Sequence, residues 1–175
     1  AFKIRSVIAA TGSPSWGVYA GFELYEHMAV KPGSEEYLDS EKYQIRIRDW
    51  EAADAEGRTL APYLTRLNEI RRAHPALQQL RTLHFHPVDN PNLICFSKTD
   101  PGSSDAVIVV INLSSHHTQI GTTALDLPVL GLDWHERFRV TDGLTGAVYD
   151  WGQFNYLELD PYREPAHVFA VTFPR

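Results

Sequence analysis

Beyond residue 82 the chain carries six short runs of strand-forming residues broken by turn chemistry, and this density constrains the fold more than any other feature. The runs cover residues 93–99, 106–113, 134–141, 147–151, 154–159 and 166–173. Asp100-Pro101-Gly102 and Asp142-Gly143 separate neighbouring runs with residues that favour tight turns. Several short strands at close spacing predict an antiparallel β-sandwich over residues 83–175.

Before residue 82 the pattern is different. Leu60, Tyr63, Leu64, Leu67, Ile70 and His74 recur at helical spacing, which predicts a helix opening after Thr59 as N-cap, with Pro62 in its first turn. His74-Pro75 ends it, because the residue before proline disfavours helical geometry. Phe2, Ile4, Val7 and Ile8 fit either a helix end or a strand, and Gly12-Ser13-Pro14 breaks the chain after them. Trp16-Gly17-Val18-Tyr19-Ala20, short and apolar between glycines, reads as a buried parallel strand. Residues 26–58 read as one long charged loop, with an extended, alternating run from Tyr43 to Arg48; a loop of this length is usually functional.

Composition excludes several classes of function. With 16 basic against 22 acidic residues the formal net charge is −6, which argues against nucleic-acid binding, since phosphate contacts need a concentrated basic surface. No stretch approaches the ~18–20 apolar residues of a membrane span. The single cysteine, Cys95, has no internal partner, and a reducing cytoplasm is the default expectation. The chain starts at Ala1 and its only methionine is Met28, so it reads as a fragment, a processed chain or a trimmed one.

Chemistry-bearing residues concentrate between Glu35 and Tyr43, where four carboxylates, two tyrosines and a lysine fall within nine residues. Such a loop could present carboxylate, hydroxyl and ammonium groups to a sugar, or be a solvated surface segment. Gly12-Ser13-Pro14-Ser15-Trp16-Gly17 has neither P-loop nor dinucleotide spacing, and no Gly-x-Ser-x-Gly frame is present. The eight histidines, His84, His86, His116 and His117 among them, lack metal-ligand spacing and read as packing or surface groups. Cys95, in an apolar strand, reads as inert. Trp134 and Trp151 read as core, while Trp16 and Trp50 stay open between core and sugar stacking.

Several segments together resemble one family. The stretch from Ala9 through Ser13-Pro14-Ser15-Trp16-Gly17 to Leu24 resembles the last barrel strand and loop of the α-amylase superfamily, and residues 70–77 resemble its final barrel helix. Glu35-Glu36-Tyr37-Leu38-Asp39-Ser40-Glu41-Lys42-Tyr43 is similar to the maltosyltransferases that use α-maltose 1-phosphate to extend α-1,4-glucans. Residues 141–146, 151–156 and 165–167 fit the same enzymes.

The resemblance implies an α/β plus all-β fold. Residues 1–82 would form the C-terminal end of a (β/α)8 TIM barrel, its last helix–strand–helix, and residues 83–175 the sandwich. It implies a retaining double displacement, with an aspartate nucleophile and a glutamate acid/base on barrel strands outside this chain, and no metal or organic cofactor. Lys42 and Tyr43 match the family's donor-binding pair; no catalytic residue is carried over. The implied partners are α-maltose 1-phosphate, an α-1,4-glucan, the remainder of the same enzyme and a second subunit in a cytoplasmic homodimer. A non-catalytic glucan-binding or structural sandwich of another α-amylase-family enzyme, a hydrolase or trehalose synthase, is the alternative.

Overall fold

A computed structural model describes residues 1–38 and 45–174. Three helices precede the sheet: α1 (Phe2–Gly12), α2 (Trp50–Ala55) and α3 (Ala61–Ala73). In α1 the buried residues Ile4, Val7 and Ala10 follow one another at intervals of three, which settles the open choice at the N-terminus as a helix. Arg71 of α3 closes the end of α1, its guanidinium donating to the carbonyls of Ala10, Ser13 (3.0 Å) and Pro14 (2.7 Å). These carbonyls lack intrahelical partners, so one arginine does the work of a C-cap. In α3 the Thr59 hydroxyl accepts from the Ala61 N–H at 3.1 Å, and Leu64, Leu67 and Ile70 are buried, as the periodicity predicts. His74 turns to extended geometry before Pro75 and ends the helix.

The β region comprises β1 (His84–His86), β2 (Leu93–Asp100), β3 (Asp105–Asn112), β4 (Gln119–Ala124), β5 (Phe138–Asp142), β6 (Val148–Trp151), β7 (Phe154–Leu159) and β8 (Ala166–Thr172). Six strands form one sheet in the order β1-β2-β3-β8-β5-β6, and β4 pairs with β7 in a two-stranded ribbon. Every strand pairing among the described residues is antiparallel.

Strand β3 shows why the sheet is central. Its run Ala106-Val107-Ile108-Val109-Val110-Ile111 is buried throughout, so it reads as continuously apolar rather than alternating. Val107, Val109 and Ile111 face α1 and α3, packing with Ile4, Val7, Leu67 and Ile70. Ala106, Ile108 and Val110 face the other way, onto the ribbon and the Leu127–Leu130 turn, with Leu157, Leu159 and Trp151. The molecule is therefore layered as helices, sheet and ribbon, with an apolar core on each side of the sheet.

Three expectations change. Residues 16–20 form no strand, and Gly17, Val18, Tyr19 and Ala20 are exposed. A parallel strand needs hydrogen-bonding neighbours, and none is present beside this segment among the described residues. Of the helix–strand–helix expected for residues 1–82, the helices are present and the strand is not; no (β/α)8 barrel lies in this chain. Trp134, expected in the core, is 48% exposed, because β5 starts only at Phe138. Finally, residues 26–58 are not one loop: Trp50–Ala55 is helical, with the Asp49 side chain accepting from the Ala52 N–H at 2.9 Å.

Candidate functional site

The segment between α1 and α3 holds the chemistry singled out in the sequence, and its scaffold is built from a turn, a hairpin and an ion-pair cluster. The turn is a single 3-10 segment, Phe22–Leu24, entered through Gly21 at φ 98° and left through Tyr25 at φ 58°. Tyr25 is one of two non-glycine residues with positive φ among those described. The rings of Phe22 and Tyr25 pack on Phe2 at 4.8 and 5.2 Å between centroids, which seats the turn on the start of α1. On the other side the Glu23 carbonyl accepts from the Leu60 N–H (2.7 Å) and the Thr59 hydroxyl (3.3 Å), tying it to the start of α3.

A short hairpin follows. The Val30 N–H donates to the Glu36 carbonyl at 2.8 Å and the Leu38 N–H to the Met28 carbonyl at 2.7 Å, around an Ala29–Tyr37 bridge. Glu35, Glu36 and Leu38 are exposed. Lys42 and Tyr43, the two expected donor contacts, lie outside the described residues, as do Asp39 and Glu41.

Beyond them the alternation of Ile45-Arg46-Ile47-Arg48 separates two faces. Both isoleucines are 94% exposed, while both arginines reach Glu26. Arg48 grips the carboxylate with two prongs, Nε to Oε1 at 2.9 Å and Nη2 to Oε2 at 3.1 Å. Arg46 Nη1 lies 3.4 Å from Oε2 and also donates to the Leu38 carbonyl at 3.4 Å. The hydrogen bond from Arg48 holds the Glu26 carboxyl below the usual carboxylate range, against the opposing effect of burial. A cleft of about 250 Å³ opens beside this cluster, lined by Leu24, Glu26, Arg46, Arg48, Asp49 and Arg58.

Glu26, Arg48 and Gly21 were invisible as a group in the sequence. Glu26 and Arg48 stand 22 residues apart with no local spacing to connect them. The one available sign was the strict alternation of isoleucine with arginine, which marks a segment with one charged face.

Two groups that look catalytic are structural. Asp142, at the end of β5, accepts from the Leu144, Thr145 and Val168 N–H groups, the Thr145 hydroxyl (2.5 Å) and His167 (2.8 Å). Burial works to raise its pKa, but these donors, His167 and Thr145 foremost, hold it below the usual value. The Thr145 hydroxyl bonds the carboxylate rather than the imidazole, so nothing here activates a nucleophile. His86 is buried, with Nε2 at 2.8 Å from the Ser97 hydroxyl and Nδ1 accepting from the Asp126 N–H at 3.1 Å. Burial, helped by the adjacent His84, pushes its pKa down to about 4, so it is a neutral packing group near pH 7.

Burial likewise pushes the Cys95 thiol up to about 12, as expected of an inert core cysteine. Among the described residues no three of His, Cys, Asp or Glu gather to hold a metal ion, and no helix is long and apolar enough to cross a membrane. Trp16 settles as a packing residue, its Nε1 donating to the Asn68 side chain at 3.1 Å beside the helical core. Trp50 remains 44% exposed on α2.

Comparison with known proteins gives a consistent picture. Residues 85–171 match the family described as GLGE, C-terminal. The chain is 56% identical over 174 residues to the alpha-1,4-glucan:maltose-1-phosphate maltosyltransferase 1 of Streptomyces coelicolor, covering 99% of this chain and 26% of that protein. It is 54% identical over 170 residues to the alpha-1,4-glucan:maltose-1-phosphate maltosyltransferase of Mycobacterium tuberculosis, covering 97% of this chain and 24% of the relative. The chain thus spans about a quarter of the length of the curated relatives it matches. Among solved structures it is similar to a noncanonic maltogenic alpha-amylase, AmyB, from Thermotoga neapolitana, with a TM-score of 0.66 at 13% identity over 98% of this chain and 36% of that one. That similarity concerns the fold.

Proposed function

Because this chain belongs to the GLGE C-terminal family, we propose that it is the C-terminal part of an α-1,4-glucan:maltose-1-phosphate maltosyltransferase. The observation that carries the proposal is identity of 56% or 57% over 99% of the chain to two relatives bearing that name. Residues 1–82 are the final portion of the catalytic barrel with its substrate loop, and residues 83–175 are the sandwich that follows. The strand missing between α1 and α3 then forms when the remaining barrel strands lie beside residues 16–20.

The reaction is a retaining double displacement. An aspartate on an earlier barrel strand attacks the anomeric carbon of α-maltose 1-phosphate as the bond to phosphate breaks, giving a β-linked maltosyl ester and inorganic phosphate. The 4-hydroxyl at the non-reducing end of an α-1,4-glucan then attacks that ester. A glutamate takes the hydroxyl proton, and the aspartate leaves as carboxylate. Lys42 and Tyr43 hold hydroxyls of the maltosyl donor, a positioning contribution to catalysis. The intact enzyme works in the cytoplasm as a homodimer.

Two kinetic outcomes test this reading. The 175-residue chain alone releases no phosphate from α-maltose 1-phosphate, because the reacting carboxylates are elsewhere. In the full-length enzyme Lys42→Ala raises KM for the donor about tenfold or more, as loss of a hydrogen bond to a charged group predicts. Phosphate release by the isolated chain, or unchanged donor kinetics in the variant, contradicts it.

A second reading has one observation in its favour. Phe154 and Tyr156 project from the outer face of the ribbon, 65% and 64% exposed, as stacking groups for a glucan would. A non-catalytic glucan-binding sandwich predicts maltodextrin binding that Phe154→Ala and Tyr156→Ala abolish.

A further inference from the structure

We propose that the groove crossing one end of the six-stranded sheet, with Phe173 at its middle, binds an α-1,4-glucan chain. The fold defines the groove; the identity of its occupant rests on the reading of this chain as part of a glucan-extending enzyme.

Five strand ends meet there. β2 ends at Asp100 beside the start of β3 at Asp105, and Thr172 at the end of β8 pairs with Arg139 near the start of β5, which in turn pairs with Asp150 near the end of β6. At about 4.8 Å between neighbouring strands, this row runs about 19 Å from β2 to β6, long enough for several sugar rings. Two concavities lie along it. One, of about 370 Å³, opens between the β2–β3 turn and the Leu127–Leu130 turn, with Asp100, Ser104, Leu130 and Phe173 in its wall. The other, of about 420 Å³, is lined by Arg137, Arg139, Asp150 and Phe173. Phe173 belongs to both and also packs on the apolar core, so it is a fixed apolar surface where they meet. Each volume is that of a small-molecule site.

The polar groups of the wall are held in place. Asp105 accepts from His74 Nδ1 at 2.8 Å and from the Ala76 N–H at 2.9 Å, which ties it to the end of α3. The Ser103 hydroxyl donates to Asp100 Oδ2 at 2.6 Å and its N–H to the Asp100 carbonyl at 3.2 Å. At the other half, Arg137 Nη2 donates to the Asp150 carbonyl at 2.8 Å. Ser104 is the second described non-glycine residue with positive φ, at 53°. Glycine adopts that conformation more easily, so a serine there keeps a hydroxyl in the cavity wall at a cost in backbone strain.

Charge and shape select the ligand class. Three carboxylates and two guanidiniums line the two halves, so neither an anion nor a cation meets a field of one sign. A neutral polyhydroxyl chain suits this mixture, because sugar hydroxyls donate to carboxylates and accept from guanidiniums. Phe173, Pro101, Pro128 and Pro174 add rigid apolar faces against which the C–H faces of a pyranose pack. An α-1,4-glucan is the polyhydroxyl polymer that the proposed reaction brings to this chain, as acceptor and as product.

The test is an amide chemical-shift titration of the 175-residue chain with maltoheptaose, in which shifts are expected at Asp100, Ser104, Gly131, Arg139 and Thr172. In parallel, retardation of the full-length enzyme is read in a native gel containing glycogen. There Ser104→Gly is expected to weaken binding about threefold and Arg137→Gln about tenfold or more, as loss of a neutral and of a charge-assisted hydrogen bond predicts. Ser104→Gly relieves the backbone as it removes the hydroxyl, so with Tm unchanged or raised its loss of affinity is not a loss of fold. Tyr162→Ala, at a 78% exposed ring outside the groove, is expected to leave retardation as in the wild type. Shifts confined to Phe154 and Tyr156 on the ribbon, the same groove shifts with inorganic phosphate, or wild-type retardation in both groove variants overturns the proposal. Glucan growth from α-maltose 1-phosphate is scored separately. An enzyme that extends glucans while its groove variants bind glycogen normally refutes the groove alone; groove binding by an enzyme that only hydrolyses refutes the transferase reading and leaves the groove standing.

Discussion

His86 carries a consequence for acid stability that its neutral, buried state makes quantitative. Between its native pKa of about 4 and the ordinary histidine value of about 6.5 the unfolded chain binds the proton and the folded chain does not. Stability from this residue is complete above pH ~6.5, falls as the pH drops through that window and is lost below ~4, a range of about 3 kcal/mol. Urea unfolding at pH 4.5 and 7.5 is expected to show most of that difference in the wild type and much less in His86→Gln. Equal pH dependence in the two contradicts the assignment. Asp142 behaves in the opposite sense: its pKa is lowered, so its contribution is present above the ordinary carboxylate range and disappears only as the pH falls through its lower native value. Its window lies below the histidine one, so the two are separable in one titration. Residues of this kind were only half legible in the sequence. Cys95 could be read as inert from its apolar neighbours, and its thiol is pushed up to about 12 by burial. The Asp142 network could not, because Val168 and His167 come to it from β8, some 25 residues away.

At the scale of elements, α3 and the turn between β5 and β6 are fitted to each other with no slack. A Cβ on Gly143 would meet Ile70 Cδ1 at 2.8 Å and Cγ1 at 2.9 Å, and the Gly143 carbonyl accepts from Arg66 Nε at 2.6 Å. Gly143→Ala is therefore expected to cost about 1–3 kcal/mol, as overpacking of a filled contact does. Ile70→Ala alone leaves a cavity and costs about 2–4 kcal/mol. Combined, the two should cost less than their sum by about 1 kcal/mol, since the shorter side chain vacates the space that the new methyl needs. Denaturant midpoints of the two singles and the double check this; strict additivity rules out the direct contact. Elements were legible where side-chain pattern matched environment. The apolar run of β3 gave its strand and the 3.6 periodicity gave α3, while β7 was legible as a short strand-forming run whose alternation of exposed and buried residues only the structure shows. Strand β4 escaped because its inward positions are Gly121 and Thr123. A side chain at Gly121 would collide with Leu93 and Asp89, so close approach replaces the apolar signal.

On the scale of the whole molecule, the helical layer and the segments joined to it carry much of the exposed apolar surface. Val18, Tyr19, Ile45, Ile47 and Trp50 stand exposed there, while the centre of the β-sheet is buried by an apolar core on each face. The order of sandwich after helices was legible from the change of pattern near residue 82. The strand expected at residues 16–20 is absent, because a short apolar run between glycines does not by itself supply the neighbouring strand that a parallel strand needs. The most direct measurement is the product ladder made by the full-length enzyme from α-maltose 1-phosphate and a short maltodextrin, with phosphate counted in parallel. A maltosyltransferase lengthens the glucan in steps of two glucose units and releases one phosphate per step. Maltose liberated by water, trehalose formation, or a glucan that does not grow would contradict the account.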